Sequence, residues 1–375
     1  MRLKIAVNTR LLLPGKLEGI GWFTYQTFLR IARSNPDVEF HFLFDRPFDN
    51  QFVSSGNITP AILFPQARHP LLYFVFFERS IPAYLNKVKP DLFVSPDGFL
   101  STTWKGKQLA VIHDLNFMHY PEFIPFADRL YYRNMFPRFA RKAHRIATVS
   151  EYSKSDIVNT LGIKEEKIDV VYNGINEIYK PVAAAEAFDV RHRFSQGSPY
   201  FVYLGSLHRR KNIGNMLLAF EEFKKANPGN FKLLIVGEPM FRGSFLEEYI
   251  RTMQHKHDVV FLGRLQGEIL NQVVASAHAL LLVSYFEGFG IPIIEAMKCD
   301  VPVITSNVTS MPEIAGDAAL LVNPASTEDI ALAMQQIASQ ERLRLQLINK
   351  GRVVCGKYSW DSTAQRMWDC ILQCF

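Results

Sequence analysis

The interpretation of this chain starts from Ser284-Tyr285-Phe286-Glu287-Gly288-Phe289-Gly290-Ile291-Pro292-Ile293-Ile294-Glu295-Ala296-Met297. The apolar run just before it, residues 279–283, is typical of a buried parallel strand. Pro292 suits the first turn of a helix, because the N–H that proline lacks would have no helical partner there. The pattern therefore predicts a strand, a glycine turn and a helix, which is the repeating unit of parallel α/β proteins.

The glycine turn also predicts an anion site. Backbone N–H groups of Gly288, Phe289 and Gly290 are expected to converge at the start of the helix, where free donors and the helix dipole attract negative charge. Glu287 and Glu295 flank that point, and carboxylates accept hydrogen bonds from neutral hydroxyls. The sequence thus predicts a ligand with both phosphate and hydroxyl groups, although the same turn also occurs in α/β proteins for purely structural reasons.

These residues resemble the Glu-x7-Glu signature of retaining GT-B glycosyltransferases of family four. In that family the first glutamate and the amides after it hold the donor sugar and phosphates, and the second glutamate holds the ribose. The resemblance gives the first role to Glu287 with Gly288, Phe289 and Gly290. It gives the ribose role to Glu295.

Alternating strand and helix signals continue through all 375 residues, which is too long for one ordinary core. The predicted strands are 4–8, 39–44, 92–95, 108–112, 145–149 and 168–172 in the first half, and 200–204, 232–236, 259–262, 279–283, 301–305 and 319–322 in the second. We expect an α/β protein of GT-B architecture, with two Rossmann-like doubly wound domains facing across a cleft. Residues 1–182 form the acceptor-side domain, joined by a C-terminal crossing helix within 358–375. Residues 183–357 form the domain that binds the nucleotide sugar.

Three cations, Arg209-Arg210-Lys211, follow the first strand of the second domain. Cations beyond the carboxyl end of a strand suit a diphosphate, whereas an isolated basic turn is more simply a solvated surface. The stretch 205–212 is similar to the family's Gly…Arg-Lys-Asn element. That resemblance assigns Arg210 and Lys211 to the departing diphosphate, and we place Ser206 of the same loop among the donor-binding residues.

Two features of the first half belong to the same hypothesis. Gly19-Ile20-Gly21 resembles the glycine loop that the family presents to phosphates and acceptor, so Gly19 and Gly21 are predicted in a turn before a helix over 22–34; a flexible loop is the alternative. His113-Asp114-Leu115, after a predicted strand, resembles mannosyltransferase-like members, in which the histidine contacts the donor sugar near the reacting centre. We assign His113 to the reaction and Asp114 to its support, with a structural histidine as the alternative.

The charge distribution is uneven along the chain. Lys and Arg number 23 against 17 Asp and Glu in residues 1–182, and 19 against 19 in residues 183–375. A basic first domain favours an anionic acceptor or membrane face, and no recognition element for nucleic acid accompanies it. The aromatic run 71–77 is predicted to be core or, alternatively, a surface that meets lipid.

Residues 1–8 are expected to form a strand and not a signal peptide, and no run of eighteen apolar residues occurs. The expected location is the cytoplasm, with peripheral contact at the inner face of a membrane left open. No zinc-type cysteine spacing and no Asp-x-Asp triplet occur, so we predict no metal and no cofactor.

The sequence therefore predicts a retaining hexosyltransferase that moves mannose from GDP-mannose onto a growing glycan or lipid-linked saccharide. One alternative keeps the fold with a UDP-hexose or UDP-N-acetylhexosamine donor, and another is a nucleotide-sugar epimerase of the same shape. The non-enzymatic alternative is a silent GT-B partner that binds a glycan. Such a partner should have lost the charged residues that this chain keeps.

Overall fold

The computed structural model describes residues 2–226, 229–238 and 246–375. Contacts divide the chain into two compact domains: Met1–Gly174 with Ser359–Phe375, and Ile175–Tyr358. Each domain contains one sheet whose strands all run parallel, as the alternation of strand and helix signals predicts.

The first domain has seven strands in the order β3-β2-β1-β4-β5-β6-β7. Its elements are β1 Lys4–Asn8, α1 Gly19–Ser34, β2 Glu39–Phe44, β3 Ile58–Ile62, α2 Pro70–Val75, α3 Ile81–Val88, β4 Leu92–Ser95, β5 Gln108–Val111, α4 Asn116–His119, α5 Phe126–Lys142, β6 Arg145–Thr148, α6 Glu151–Leu161 and β7 Ile168–Val170.

Strand β1 shows how the core of this domain is built. Ile5 and Val7 belong to one buried apolar cluster, whereas Ala6 belongs to another that includes Phe76 and Phe77. Successive side chains of a strand point to opposite faces of its sheet. Apolar clusters therefore cover both faces, which is why the central strands are apolar throughout.

The second domain has six strands in the order β10-β9-β8-β11-β12-β13. Its elements are α7 Ala184–Ser195, β8 Tyr200–Leu204, α8 Ile213–Ala226, β9 Lys232–Val236, α9 Leu246–Thr252, β10 Val259–Gly263, α10 Gly267–Ala275, β11 Ala279–Leu282, α11 Ile291–Lys298, β12 Val303–Ser306, α12 Met311–Ala315, β13 Ala319–Val322, α13 Thr327–Ser339 and α14 Glu341–Cys355.

The last helix, α15 Trp360–Leu372, returns to the first domain as predicted. Its N-cap is Ser359, whose Oγ accepts a hydrogen bond from the backbone N of Ser362 at 3.2 Å. Trp360 and Met367 enter the same apolar cluster as Ile5. Burial of this apolar stripe holds the helix on the first domain.

The domain boundary falls after Gly174, eight residues before the predicted boundary at 182. The segment 175–182 belongs to the second domain because it is bonded there. The backbone N of Lys180 donates to Oδ1 of Asn271 at 2.9 Å, and Tyr179 is almost fully buried. Sequence composition gave no sign of these contacts.

The glycine pair near the N-terminus is not the predicted turn. Helix α1 begins at Gly19, and the backbone N of Trp22 donates to the carbonyl of Glu18 at 2.8 Å, closing the first helical turn. A Cβ on Gly21 would lie 2.9 Å from the carbonyl oxygen of Leu11. Gly21 therefore permits a close backbone approach, while Gly19 has open space around it.

Strand β3 was absent from the predicted set. It pairs with β2 at the edge of the sheet and contains Pro60, a residue that sheets accept at an edge. Strand ends also moved by a few residues: the predicted strand 301–305 is observed as Val303–Ser306. Such ends are set by the neighbouring strand and not by local sequence.

The aromatic run 71–77 is partly buried in the core and partly exposed. It forms α2 and enters a single π-helical turn, Phe76–Ser80, before α3. Tyr73, Phe76 and Phe77 are buried, whereas Leu71 and Phe74 are 66% and 47% exposed. Among the helices that the structure describes, none is both long and apolar enough to cross a membrane.

Candidate active site

The segment around Glu287 forms the strand, turn and helix that its sequence predicts. Strand β11 is fully buried, and α11 begins after Gly290 with Pro292 in its first turn. Gly290 has a φ of 91°, a left-handed conformation that favours glycine. The turn therefore directs Glu287 and the N-terminus of α11 to the carboxyl end of the sheet, where parallel α/β sheets bind ligands.

Glu287 is a buried carboxylate held by two cations. Its Oε1 accepts hydrogen bonds from Nζ of Lys211 at 2.6 Å and from Oγ of Ser284 at 2.7 Å, and its Oε2 accepts one from Nη1 of Arg210 at 2.9 Å. Burial acts to raise the pKa of Glu287, but the charges of Lys211 and Arg210 outweigh it and lower the pKa to about 2. Glu287 is therefore ionised at any physiological pH.

The two cations come from a short loop after β8. Arg209–Lys211 form one 3₁₀ turn, and Nδ1 of His208 accepts a hydrogen bond from the backbone N of Arg210 at 3.1 Å. Asn212, at φ 58°, follows in the left-handed region. Its Nδ2 donates to the carbonyl of Val283 at 2.9 Å, which fixes the end of the loop beside β11.

A third segment holds the backbone of Glu287. Oγ of Ser310 donates to the carbonyl of Glu287 at 2.9 Å, and the backbone N of Glu287 donates to Oγ1 of Thr309 at 3.3 Å. Three loops that follow β8, β11 and β12 therefore meet at Glu287. We call Arg210, Lys211, Ser284 and Glu287 the charged cluster.

Glu295 lies in the second turn of α11 and is also buried, with 6% of its surface exposed. The side chain of Tyr179, which is also buried, lies nearby. Burial raises the pKa of Glu295 to about 8, with Tyr179 opposing that rise. The two glutamates of one motif therefore have opposite pKa shifts, because only Glu287 contacts cations.

The residues between the two glutamates differ in what they present. Phe289 is 4% exposed and packs its ring edge-on against Tyr358, with ring centroids 5.6 Å apart. Its side chain is thus part of the core. Gly288, Phe289 and Gly290 can offer a ligand only backbone groups.

Ser206 is half-buried, and its carbonyl accepts a hydrogen bond from the hydroxyl of Tyr203 at 2.8 Å.

In the first domain, His113 follows β5. Its Nε2 hydrogen-bonds the carbonyl of Pro96 at 2.8 Å, so Nε2 carries the proton and Nδ1 is the acceptor. Burial lowers the pKa of His113, which favours the neutral ring. The Asp114 carboxylate accepts from the backbone N of Asn116 at 3.0 Å and so shapes the turn after His113.

A buried network at the same sheet edge escaped the sequence analysis. Asp97, which follows β4, accepts hydrogen bonds from Nδ2 of Asn8 at 2.9 Å and from Nε of Arg10. The Arg10 guanidinium lies 4.8 Å from the centre of the Phe99 ring. Asn8 ends β1 and Arg10 follows it, whereas Asp97 and Phe99 follow β4, so only the pairing of β1 with β4 brings them together.

The second domain therefore unites Arg210, Lys211 and Glu287 in one cluster. It places Glu295 in α11, the helix that follows the turn of Glu287. His113, Gly19 and Gly21 belong to the first domain. The sequence analysis missed Ser284 and Tyr179; Ser284 was part of the quoted motif, but nothing local showed that its hydroxyl bonds Glu287. Within residues 2–226, 229–238 and 246–375, no group of His, Cys, Asp or Glu side chains is arranged to hold a metal ion.

The chemistry of the charged cluster suits an anion next to a hydroxyl-bearing group. Arginine presents a planar fork and lysine a point charge, and both match phosphate oxygens. Glu287 keeps these side chains in place before any ligand arrives. Glu295 supplies a second carboxyl group on the helix whose N-terminus favours negative charge.

Two Rossmann-like domains with this site at the carboxyl end of the second sheet define the GT-B fold of glycosyltransferases. The fold is shared with sucrose-phosphate synthase from Thermosynechococcus elongatus, at a TM-score of 0.79 and 21% identity with 99% of each chain covered. It is also shared with WaaG, a glycosyltransferase involved in lipopolysaccharide biosynthesis, at a TM-score of 0.77 and 16% identity, covering 97% of this chain and 98% of that one.

Family models identify the chain more narrowly. The model of glycosyl transferases group 1 matches residues 185–354, and that of glycosyltransferase family 4 matches residues 18–177. The chain belongs to these glycosyltransferases, which confirms the family resemblance. It is 26% identical over 360 residues to the O-antigen chain mannosyltransferase B of Escherichia coli, covering 92% of this chain and 93% of that protein.

The charged cluster makes a prediction about stability and pH. The pKa of Glu287 is about 2 in the folded protein against an ordinary value of 4.5, so its stabilisation is present above pH 4.5 and is lost as pH falls towards 2. We expect Glu287→Gln to lower the free energy of unfolding at about pH 7 by roughly 3 kcal/mol. Acidification to about pH 3.5 should reduce that difference by roughly 1.4 kcal/mol.

Urea unfolding of both proteins at the two pH values measures this effect. Glu341→Gln is a matched control, because Glu341 is an exposed carboxylate paired with Arg344. A Glu287→Gln difference that stays constant with pH would contradict the assignment of the lowered pKa to this group.

Proposed function

We propose that the protein is a retaining, metal-independent hexosyltransferase that transfers mannose from GDP-mannose to a growing glycan or lipid-linked saccharide. The observation that carries the proposal is the charged cluster, where Arg210 and Lys211 contact Glu287 beside the N-terminus of α11. It supplies positive charge where a nucleotide diphosphate would be held. No cofactor is part of the proposal.

The proposed reaction depends on charge at the leaving group. As the bond between the anomeric carbon and the diphosphate breaks, negative charge grows on the diphosphate oxygens. Arg210 and Lys211 are already oriented by Glu287, so they need little rearrangement to stabilise that charge. The side chains of both cations are less than one-fifth exposed, which strengthens their electrostatic effect relative to a solvated pair.

Retention of configuration requires the acceptor oxygen to attack the face from which the diphosphate leaves. In the proposed step the bond from the anomeric carbon to the phosphate oxygen breaks, and a bond to the acceptor oxygen forms on the same side. The acceptor proton moves to the departing phosphate oxygen, so no protein nucleophile takes part. For His113 we propose contact with the transferred sugar through Nδ1, which accepts a hydrogen bond in the neutral ring because Nε2 donates to Pro96.

Mannose is favoured because the Escherichia coli protein that aligns with almost the whole chain is called an O-antigen chain mannosyltransferase. The same name supports polysaccharide biosynthesis as the setting. A UDP-hexose donor remains the competing proposal, since no residue that reads the base has been identified.

Lipid contact is a further part of the proposal. Leu71 and Phe74 of α2 and Phe126 and Leu130 of α5 are exposed apolar residues, and the two helices contact each other through the rings of Tyr73 and Tyr131, whose centroids are 5.6 Å apart. We call these four exposed residues the apolar patch. Together with the basic excess of this domain, the patch supports peripheral binding to an anionic membrane at its inner face.

Removing either cation should impair the chemical step. We expect Arg210→Ala and Lys211→Ala each to lower kcat on the order of 10²-fold, as is typical for loss of one preorganised electrostatic contact. Steady-state kinetics with saturating donor and acceptor gives the value. Lys350→Ala is the control, since Lys350 pairs with Asp317 on the surface of the same domain. Normal turnover in either variant would leave that residue with only the structural role of pairing with Glu287.

A donor panel tests substrate and stereochemistry together. Purified protein with a saccharide acceptor, EDTA and GDP-mannose, UDP-glucose, UDP-galactose or UDP-N-acetylglucosamine should transfer sugar from GDP-mannose, with the α configuration kept in the anomeric proton signal. Turnover of a UDP-sugar alone would replace the donor assignment. A β-linked product would overturn retention, and activity only after a divalent metal is added would overturn metal independence.

Flotation with vesicles tests lipid contact. The protein should float with phosphatidylglycerol vesicles and not with phosphatidylcholine alone, and Leu71→Ser with Phe74→Ser should weaken binding by about tenfold or more, because two apolar side chains leave the lipid. Phe188→Ser is a matched control in the second domain, where Phe188 is 57% exposed. Equal flotation of the double variant and the unaltered protein would exclude the apolar patch as the contact.

A further inference from the structure

A cavity of about 850 Å³ lies in the first domain, lined by residues of the segments 78–90 and 103–106. Pro90 and Gly106 in its lining come just before β4 and β5, so the cavity opens at the amino ends of these strands. Asp97 and His113 follow the carboxyl ends of the same two strands. We call this cavity the amino-edge pocket; its size is typical of small-molecule sites, and it is separate from the residues assigned to the reaction.

The two walls of the amino-edge pocket are joined by the Glu78 carboxylate. Its Oε1 accepts a hydrogen bond from the backbone N of Thr102 at 2.9 Å, and its Oε2 accepts one from the backbone N of Thr103 at 3.0 Å. The Trp104 ring lies against Gly106, where a Cβ would come within 2.1 Å of the ring. The pocket is therefore built by fixed contacts between its walls.

The rim of the pocket is positively charged. Arg79, Lys89 and Lys105 line it and are exposed, and in the described part of the chain their side chains make no ion pair or hydrogen bond. Glu78 is the one carboxylate in the lining, so the formal charges are three positive against one negative. The C-terminus of α3 adds roughly half a negative charge, which is too little to reverse the balance. The rim thus favours an anion.

The interior of the pocket is apolar. Pro82, Leu85 and Trp104 line it and are buried, and Ala83 is an exposed but small lining residue. Across the residues that the structure describes, none of the large, well-exposed apolar side chains belongs to this lining. A surface that enters a membrane presents such side chains at its rim. The lining therefore favours a soluble ligand over a lipid bilayer.

We propose that the amino-edge pocket binds a soluble phosphate ester that carries an apolar group. The phosphate meets the cations at the rim, where arginine and lysine match phosphate oxygens. The apolar group lies against the buried side chains of the interior and leaves water. This inference does not depend on the donor, the acceptor or the membrane contact proposed above, so it stands or fails separately from them.

Three probes test the two requirements, with ligand-observed NMR titration giving each dissociation constant. Hexyl phosphate should bind about tenfold or more tightly than methyl phosphate, because several methylene groups leave water. Hexanol has the same chain without the charge, so it should bind about tenfold more weakly than hexyl phosphate, at about twofold to threefold for each cation that it leaves unpaired.

Substitutions locate the binding. Lys89→Ala with Lys105→Ala should weaken hexyl phosphate by about tenfold, at about threefold for each exposed charge. Lys87→Ala is the matched control, since Lys87 is an exposed lysine of α3 outside the lining, and it should leave the affinity unchanged. Ala83→Phe places a ring in the pocket and should abolish binding of hexyl phosphate. Its thermal unfolding should match that of the unaltered protein, because Ala83 is exposed.

Four results would overturn the proposal. Equal affinity for methyl and hexyl phosphate would reduce the pocket to a solvated basic surface. Equal weakening by Lys87→Ala and by the double variant would show a general effect of charge. Displacement of hexyl phosphate by GDP or UDP would place the probe at the donor site. Flotation with phosphatidic acid vesicles that the double variant loses, without binding of hexyl phosphate, would make this surface a membrane contact.

Discussion

A carboxylate buried between two cations is the interaction on which the site depends. Isolated charges are costly to bury, and removing one partner of a buried pair leaves the other uncompensated. Glu287 therefore ties the loop of Arg210 and Lys211 to the turn before α11. Because the three groups are already in place, the positive charge is oriented without a ligand, which is the condition for effective electrostatic stabilisation of a transition state.

Backbone geometry makes that interaction possible. The turn at Gly290 and the loop that ends at Asn212 both need left-handed conformations, which glycine adopts without steric cost and asparagine tolerates. Ser310 then bonds the carbonyl of Glu287 from a third loop. The cluster thus forms where segments from different parts of the chain meet. The backbone conformation of each segment is set by its own local sequence.

The two glutamates of the motif show how environment separates groups of identical chemistry. Glu287 contacts cations and stays ionised, whereas Glu295 is buried beside a tyrosine and has a pKa of about 8. Glu287 therefore holds two charged side chains in place.

The sequence by itself determined the parallel α/β fold, the glycine turn before α11 and the cation loop, because these features depend on local periodicity, caps and special backbone conformations, whereas the return of the last helix was expected from the family resemblance. It placed Gly21 in a turn and left out the edge strand with Pro60, since close packing and strand pairing decide both. Only the tertiary structure decided that Glu287 bonds Arg210 and Lys211. Those partners lie 77 and 76 residues from Glu287 in the sequence, and hydrogen bonds at such separations are set by strand order and loop packing, which no local pattern records.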